Sequence, residues 1–148
     1  MIKMKQKKHH FILGHQVKEI DKIEQAIEAV KLVWDIDEKS LFQLNLVLEE
    51  LISNTMFYGF SKKDNGEIDV DLAYDGIYIH VKIHDNAIAF DPTSPLESSV
   101  ELPLDDREIG GLGIMLSQQI SENMKYEYHE NKNKLSFMIN TKPNVKDK

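Results

Sequence analysis

The stretch of sequence that decides the fold is EIDVDLAYDGIYIHVKI, residues 67–83. Ile68, Val70 and Leu72 alternate with acidic residues in its first half, which is the period-two pattern of a half-buried strand. Asp75-Gly76 then favours a tight turn. The return strand continues the alternation with Ile77, Ile79, Val81 and Ile83. The stretch therefore predicts two antiparallel strands joined by a hairpin turn.

A strand and two amphipathic helices are predicted before this hairpin. The strand is short and covers His9–Gly14. The first helix opens with the form of a capping box, Asp21 to Glu24. Its apolar residues recur at helical spacing, at Ile20, Ile23, Ile27, Val30 and Trp34. The second helix starts near Asp37 or Ser40 and is stopped by Gly59. Its buried stripe consists of Leu41, Leu44, Leu48, Leu51, Ile52 and Thr55.

The chain after the hairpin predicts a long loop, a third helix and a second hairpin. Prolines interrupt residues 90–109, and a loop of that length inside a compact domain is usually functional. The third helix follows the glycine turn Gly110–Gly113. In the second hairpin, Met124, Tyr126 and Tyr128 alternate on one strand, residues 130–133 turn, and Leu135, Phe137 and Ile139 alternate on the other.

The order of elements indicates the fold class. Antiparallel hairpins with helices between them, and no repeated β-α-β unit, favour a two-layer α/β (α+β) sandwich. We expect a mixed, mainly antiparallel sheet with helices on one face. A single domain is predicted over residues 9–140, with a basic N-terminal tail at 1–8 and a C-terminal tail at 141–148.

Composition and charge narrow the classes of function. The chain has 148 residues, of which 41% are hydrophobic and 29% charged, as in an ordinary globular domain. It has no cysteine, which excludes disulfides and thiolate metal sites. The net charge of −7 argues against a nucleic-acid partner, and no apolar run is long enough to span a bilayer. We therefore expect a cytoplasmic protein with no nucleic-acid or membrane partner.

Glu50 and Asn54 form the first candidate site. They are four residues apart on the second helix, so their side chains share one ridge beside the apolar stripe. Oxygen ligands of this kind suit Mg²⁺, and a carboxylate there could accept a proton from a hydroxyl. The alternative is a helix-surface glutamate beside an asparagine with a local hydrogen bond.

Asp85 and the glycine turn complete the set of candidate residues. Asp85 ends an apolar strand, where it could accept a hydrogen bond from an amino group of a planar ligand, or merely begin a turn. Gly110, Gly111 and Gly113 precede a helix whose N-terminus could bind phosphate. The alternative for the glycines is a helix entry that needs close packing. Neither a P-loop nor a Rossmann fingerprint is present.

The order and spacing of these features resemble the GHKL ATPase superfamily. Leu48–Asn54 (LEELISN) is similar to its N box, Asp85–Pro92 (DNAIAFDP) to its first glycine box, and Arg107–Ile114 (REIGGLGI) to its second. Within the superfamily, the short chain and the two box forms are most similar to bacterial anti-sigma factor serine kinases. The resemblance covers His9 to Ile139.

The resemblance implies a role for each residue of these motifs, with ATP and Mg²⁺ as cofactors. Glu50 would be the general base toward a serine hydroxyl, and Asn54 would hold Mg²⁺. Asp85 would bind the adenine amino group, and Ser136 would support adenine through water. Backbone amides would meet the phosphates at Gly110, Gly111 and Gly113. The remaining box positions expected at the nucleotide are Ala87, Phe90, Arg107 and Leu112.

The resemblance also implies partners. The protein would be an anti-sigma factor and serine-protein kinase that phosphorylates a STAS-type anti-anti-sigma protein, with a sigma factor as second partner and a homodimer as assembly. Thr93 to Glu108 would be the lid over ATP.

Departures from the superfamily pattern suggest alternatives. Ala87 and Ala89 replace glycines, and Tyr58 replaces a histidine found in many relatives. Since the Ala87 methyl would sit where the backbone approaches adenine, the first alternative is a regulatory binding module with a degenerate ATP site. A detached histidine-kinase catalytic domain is a third hypothesis, which is disfavoured because no helical pair with a phosphoacceptor histidine precedes the domain.

Overall fold

A five-stranded antiparallel sheet carries the fold, in the spatial order β1-β2-β3-β5-β4. The structure is a computed structural model that describes residues 7–60, 65–93 and 113–143. Its strands are β1 (Lys7–Gly14), β2 (Glu67–Tyr74), β3 (Tyr78–Asp85), β4 (Glu122–His129) and β5 (Lys132–Asn140). Its helices are α1 (Asp21–Val33), α2 (Glu38–Asn54) and α3 (residues 113–120).

One face of the sheet is buried and the other is polar. The residues of the two central strands with buried side chains are Ile68, Val70, Leu72, Tyr74, Ile79, Val81, Ile83 and Asp85. In β5 they are Asn133, Leu135, Phe137 and Ile139. We call this the inner face, and the opposite one the outer face. The alternation confirms both predicted hairpins, because successive side chains of a strand point to opposite faces.

The helices contribute their apolar stripes to the same core. The fully or nearly fully buried residues of α1 are Ile23, Ala26 and Val30. Those of α2 include Leu44, Val47, Leu48 and Ile52. Trp34, between the two helices, stacks on Tyr74 with ring centroids 5.9 Å apart. The predicted fold class, a two-layer sandwich, is therefore confirmed, and all four strand pairings among the described residues are antiparallel.

Some local predictions differ from the structure. The predicted capping box is wrong, because a 3₁₀ turn (Val17–Ile20) leads directly into α1 and no side chain caps it. The second helix reaches Gly59 as predicted, but its last five residues form a π-helical turn (Thr55–Gly59). β1 begins at Lys7, inside the predicted tail, because Lys7 and Lys8 pair with the end of β2. No described helix is both long enough and apolar enough to cross a bilayer.

Candidate functional site

Glu50 and Asn54 project from the last turns of α2 with their polar groups free. Both side chains are half-buried. Among the described residues, neither side chain has a hydrogen-bond or ion-pair partner. The Ser53 hydroxyl donates to the Glu50 backbone carbonyl, not to its carboxylate. Partly desolvated polar groups without partners are costly unless a ligand satisfies them. This pair is therefore available to a ligand.

Gly113 opens α3 directly against Glu50. A Cβ added to Gly113 would lie 2.6 Å from the Glu50 carboxyl carbon and closer still to Oε2. A side chain at this position would displace the Glu50 carboxylate, so the glycine allows the carboxylate to meet the start of α3. Within α3, Ser117 Oγ donates to the Gly113 carbonyl at 2.9 Å, and Ile114 is buried.

Asp85 ends β3 on the inner face with only 8% of its surface exposed. It accepts the Ala87 backbone N–H at 3.0 Å and the Asn133 amide at 2.8 Å, both through Oδ1. Burial raises the pKa of the Asp85 carboxyl above its usual range, although these two hydrogen bonds oppose the shift. Since no bond from the described residues reaches Oδ2, that oxygen remains as an acceptor for a ligand.

Asn133 lies opposite Asp85 on β5 and organises the chain that follows β3. Its Nδ2 donates to Asp85 and to the carbonyls of Ala87 and Ile88, at 2.8, 3.3 and 3.0 Å. Its Oδ1 accepts the Phe90 backbone N–H at 3.1 Å and the Tyr126 hydroxyl. Five partners use the whole hydrogen-bonding capacity of the amide. We call residues 87–90 the strap, which Asn133 fixes over the end of β5.

Gly59 and Ala87 join the end of α2 to the strap. A Cβ placed on Gly59 would lie 2.9 Å from the Ala87 Cβ, and the Ile88 backbone N–H donates to the Gly59 carbonyl at 3.2 Å. The Ala87 side chain is 4% exposed. Its methyl group is therefore packed against Gly59, which differs from our expectation that it would project toward a ligand.

The described candidate residues form two groups that are joined at the end of α2. Glu50 lies against Gly113, and Asp85 and the strap are connected to the helix end through the Gly59–Ala87 contact. We call the region between these two groups the cleft. Phe90 ends the strap with 45% of its side chain exposed. Ser136 pairs with Lys82 on the outer face, opposite to the face that carries Asp85, so its support of adenine stays a prediction without a contact to favour it.

Sequence patterns did not single out Asn133 on β5. Asn133 stands two residues before Leu135 in the same alternation as Phe137 and Ile139, which places it on the inner face, and this alternation could have identified it. Among the other candidates, Arg107, Gly110, Gly111 and Leu112 lie outside the described residues, as does most of the predicted lid. His80 and His84 project from the outer face of β3, as predicted for surface histidines.

The chemistry of the cleft follows from these groups. A carboxylate and a carboxamide at its α2 side are oxygen donors of the type that a hard cation such as Mg²⁺ accepts. The unpaired Oδ2 of Asp85 can accept a hydrogen bond from an exocyclic amine. Since the Asn133 network fixes Asp85 and the strap in advance, this part of the site is preorganised for a ligand.

Comparison with known proteins agrees with this arrangement. Residues 15–139 match the sequence family described as the histidine kinase-like ATPase domain. The serine/threonine-protein kinase BtrW of Bordetella bronchiseptica is 26% identical over 102 residues, covering 69% of this chain and 72% of that protein. The serine-protein kinase RsbW of Listeria monocytogenes is 29% identical over 98 residues, covering 62% of this chain and 61% of that protein.

Solved structures agree on the fold. The blue-light activated histidine kinase of Erythrobacter litoralis superposes with a TM-score of 0.56 at 14% identity, covering 87% of this chain and 42% of that one. Its separate histidine kinase domain gives a TM-score of 0.51 at 13% identity, covering 84% and 60%. The family match over residues 15–139 shows that the chain belongs to the family of histidine kinase-like ATPase domains.

Proposed function

We propose that this protein is an ATP-dependent serine-protein kinase whose substrate is a STAS-type anti-anti-sigma protein and whose second partner is a sigma factor. The observation that carries the proposal is the unpaired Glu50 carboxylate held against Gly113 at the start of α3. The relatives named serine-protein kinases support the kinase class. By the same reasoning we propose a homodimer as the working assembly.

In this mechanism the residues of the chain mainly position the reacting groups and neutralise charge. Asp85 Oδ2 accepts a hydrogen bond from the adenine amino group and orients the nucleotide. Asn54 would hold Mg²⁺ through its amide oxygen, and the ion when bound would neutralise charge on the phosphates. Glu50 accepts the proton of the attacking serine hydroxyl while the serine oxygen bonds to the γ-phosphorus. At the same time the bond between the γ-phosphorus and the oxygen that bridges it to the β-phosphate breaks. ADP and phosphoserine are the products.

Substitution of Glu50 tests the proposal. Incubation of the wild type with Mg-ATP and the cognate STAS protein should yield phosphoserine. Glu50→Gln should lower the transfer rate by about 10²- to 10⁴-fold, because the general base is lost while the side chain keeps its size. Mass spectrometry of the STAS protein follows the product, and calorimetry should show nearly unchanged ATP affinity.

The matched control is Glu127→Gln, which removes an exposed carboxylate of β4 that pairs with Lys134 on the outer face. It should leave the transfer rate unchanged. Undiminished phosphorylation by Glu50→Gln would contradict the role assigned to Glu50.

The second candidate function is a binding module that sequesters its partner without phosphate transfer, suggested by Ala87 in place of glycine. The contact of its methyl with Gly59 supports the kinase instead, because the methyl occupies core space. Titration of Mg-ATP into the wild type and Ala87→Gly distinguishes the two. Binding by both favours the kinase, whereas binding only by Ala87→Gly favours the module.

A further inference from the structure

A groove separates α1 from α2 on the side away from the sheet. Its volume is about 420 Å³. The residues that line it are Glu24, Ile27, Glu28 and Lys31 from α1, and Glu38, Leu41, Phe42, Asn45 and Glu49 from α2. The spacing within each helix follows i, i+3, i+4 and i+7, so the lining forms one stripe along each helix. Over the span of α2 the groove is roughly 16 Å long, at 1.5 Å per residue.

The charge of this groove is strongly negative. Four glutamates line it, and Lys31 is the single cation among its lining residues. Lys31 Nζ lies 3.9 Å from Glu38 Oε1, with the Glu38 side chain 91% exposed, so the pair neutralises little. The other three carboxylates, Glu24, Glu28 and Glu49, have no ion-pair partner among the described residues. A surface of this kind attracts a partner that carries lysine or arginine.

Two uncharged features of the groove also point to an occupant. Phe42 is 66% exposed, although it is a large aromatic side chain beside buried Leu41. Asn45 Oδ1 is shielded from solvent and has no hydrogen-bond partner among the described residues. A buried acceptor of this kind is costly unless a donor reaches it. The groove therefore offers an apolar anchor point, a hydrogen-bond acceptor and negative charge together.

The position of the groove relates it to the candidate active site. The short connection between α1 and α2 makes the helices antiparallel, so Glu24 and Glu49 lie at the same end. Glu50, the proposed general base, follows Glu49 directly in α2. Since successive side chains of an α-helix point about 100° apart, the groove and the Glu50 side chain lie on neighbouring faces of α2.

We propose that the α1–α2 groove docks a cationic amphipathic helix of the STAS-type protein substrate. This rests on the proposed function for the identity of the partner. A helix laid between two others presents one apolar side chain to Phe42 and Leu41, with lysine or arginine toward Glu24, Glu28 and Glu49. A cationic donor from it satisfies Asn45 Oδ1. The groove thereby supplies substrate recognition, which the nucleotide cleft alone cannot.

Binding measurements on the full chain test this docking. The probe is the cognate STAS protein, titrated into wild type, Phe42→Ala and the double variant Glu24→Lys/Glu28→Lys, each verified as folded by circular dichroism. We expect affinity to fall by about tenfold or more in both variants, because an anchor aromatic or complementary charge is removed. ATP affinity, measured in parallel, should change less than twofold, which is a much smaller effect than the expected loss of about tenfold in affinity for the STAS protein.

Two variants with substitutions on β4, outside the groove, serve as matched controls. Tyr128→Ala removes an exposed aromatic from β4, and Glu122→Lys/Glu127→Lys reverses two exposed charges there. Equal losses in groove and control variants would overturn the proposal, as would unchanged binding by the groove variants or no binding by the wild type. A change of self-association by Phe42→Ala would assign the groove to a second copy instead. STAS binding without phosphate transfer would reject the kinase while leaving the docking site intact.

Discussion

At the scale of single residues, Asp85 shows how hydrogen bonding orients a carboxylate and how burial changes its pKa. Its carboxylate is held by Ala87 and Asn133 through one oxygen, which leaves the other directed to a ligand. Burial raises its pKa because the charged form is less well solvated than in water. The carboxylate is thus less stable in the empty site than with an amine bound.

Asp85→Asn should lose nucleotide affinity without losing stability. The folded-state pKa of Asp85 is raised, so the native state binds a proton that the unfolded chain releases first. Its contribution therefore lowers stability as pH rises from the unfolded pKa through the folded one. Denaturant titrations from acid to neutral pH should show this component in the wild type and its absence in Asp85→Asn.

The same substitution predicts the pH dependence of binding. An amine donor requires the ionised carboxylate, so wild-type ATP affinity should fall as pH decreases through the raised pKa. Calorimetry with Asp85→Asn measures the pH dependence that comes from ATP itself. Parallel curves for the two proteins would contradict the role of Asp85.

Asn133→Ala should weaken both the fold and the nucleotide site. The Phe90 N–H and the Tyr126 hydroxyl lose their acceptor, and such loss of buried partners costs about 1–3 kcal/mol. ATP affinity should fall because Asp85 and the strap lose their orientation. Chemical unfolding and calorimetry measure the two effects. Asn140→Ala, on the same strand but bonded only to the Lys142 N–H, should change neither.

At the scale of elements, the start of α3 is shaped by what it meets on α2. Gly113 does not have a positive φ, so its backbone accepts other residues. What requires glycine there is the Glu50 carboxylate. The constraint is tertiary, and the helix itself would favour alanine.

Gly113→Ala should therefore lower the rate of phosphate transfer without lowering stability. The added methyl displaces the flexible Glu50 carboxylate, and a misplacement near 1 Å costs on the order of 10²-fold in rate. Stability should be unchanged or slightly raised, measured by thermal unfolding. In the Glu50→Gln background the same change should cost little further rate, since both act through one group. Additive losses would show that Gly113 acts elsewhere.

At the scale of the whole molecule, the helical layer and the sheet are locked at both ends. At one end Trp34 stacks on Tyr74, whose hydroxyl donates to the Gly76 carbonyl at 3.0 Å. Thr141 joins the same corner through its bond to the Ile77 carbonyl at 2.7 Å. At the other end Gly59 meets Ala87. The cleft lies at this second end, so its geometry depends on how the layers pack.

Exchange of Gly59 and Ala87 tests that dependence. Gly59→Ala should cost about 1–3 kcal/mol by overpacking against the Ala87 methyl. Ala87→Gly alone should cost about 1 kcal/mol through a more flexible unfolded chain. The double variant should regain most of the Gly59→Ala loss, measured by urea unfolding. Simple addition of the two losses would mean that the methyl groups do not meet.

The sequence by itself determined the elements, the faces of the strands and the choice of candidate site residues. Alternation of apolar residues sets which face is buried, and Glu50, Asn54 and Asp85 stand at fixed positions in local patterns. The 3₁₀ turn before α1 was not predicted. Aspartate is a common N-cap residue, so its presence at position 21 does not distinguish a capped helix start from a helix that continues a 3₁₀ turn.

Only the tertiary structure decided which residues meet across elements. The register of β3 with β5 places Asn133 beside Asp85 and turns Ser136 to the outer face. Packing of the layers sets Ala87 against Gly59, and packing of two helices creates the acidic groove. Contacts between residues far apart in the chain depend on register and packing. Local sequence patterns determine neither of these, because they act only over a few residues.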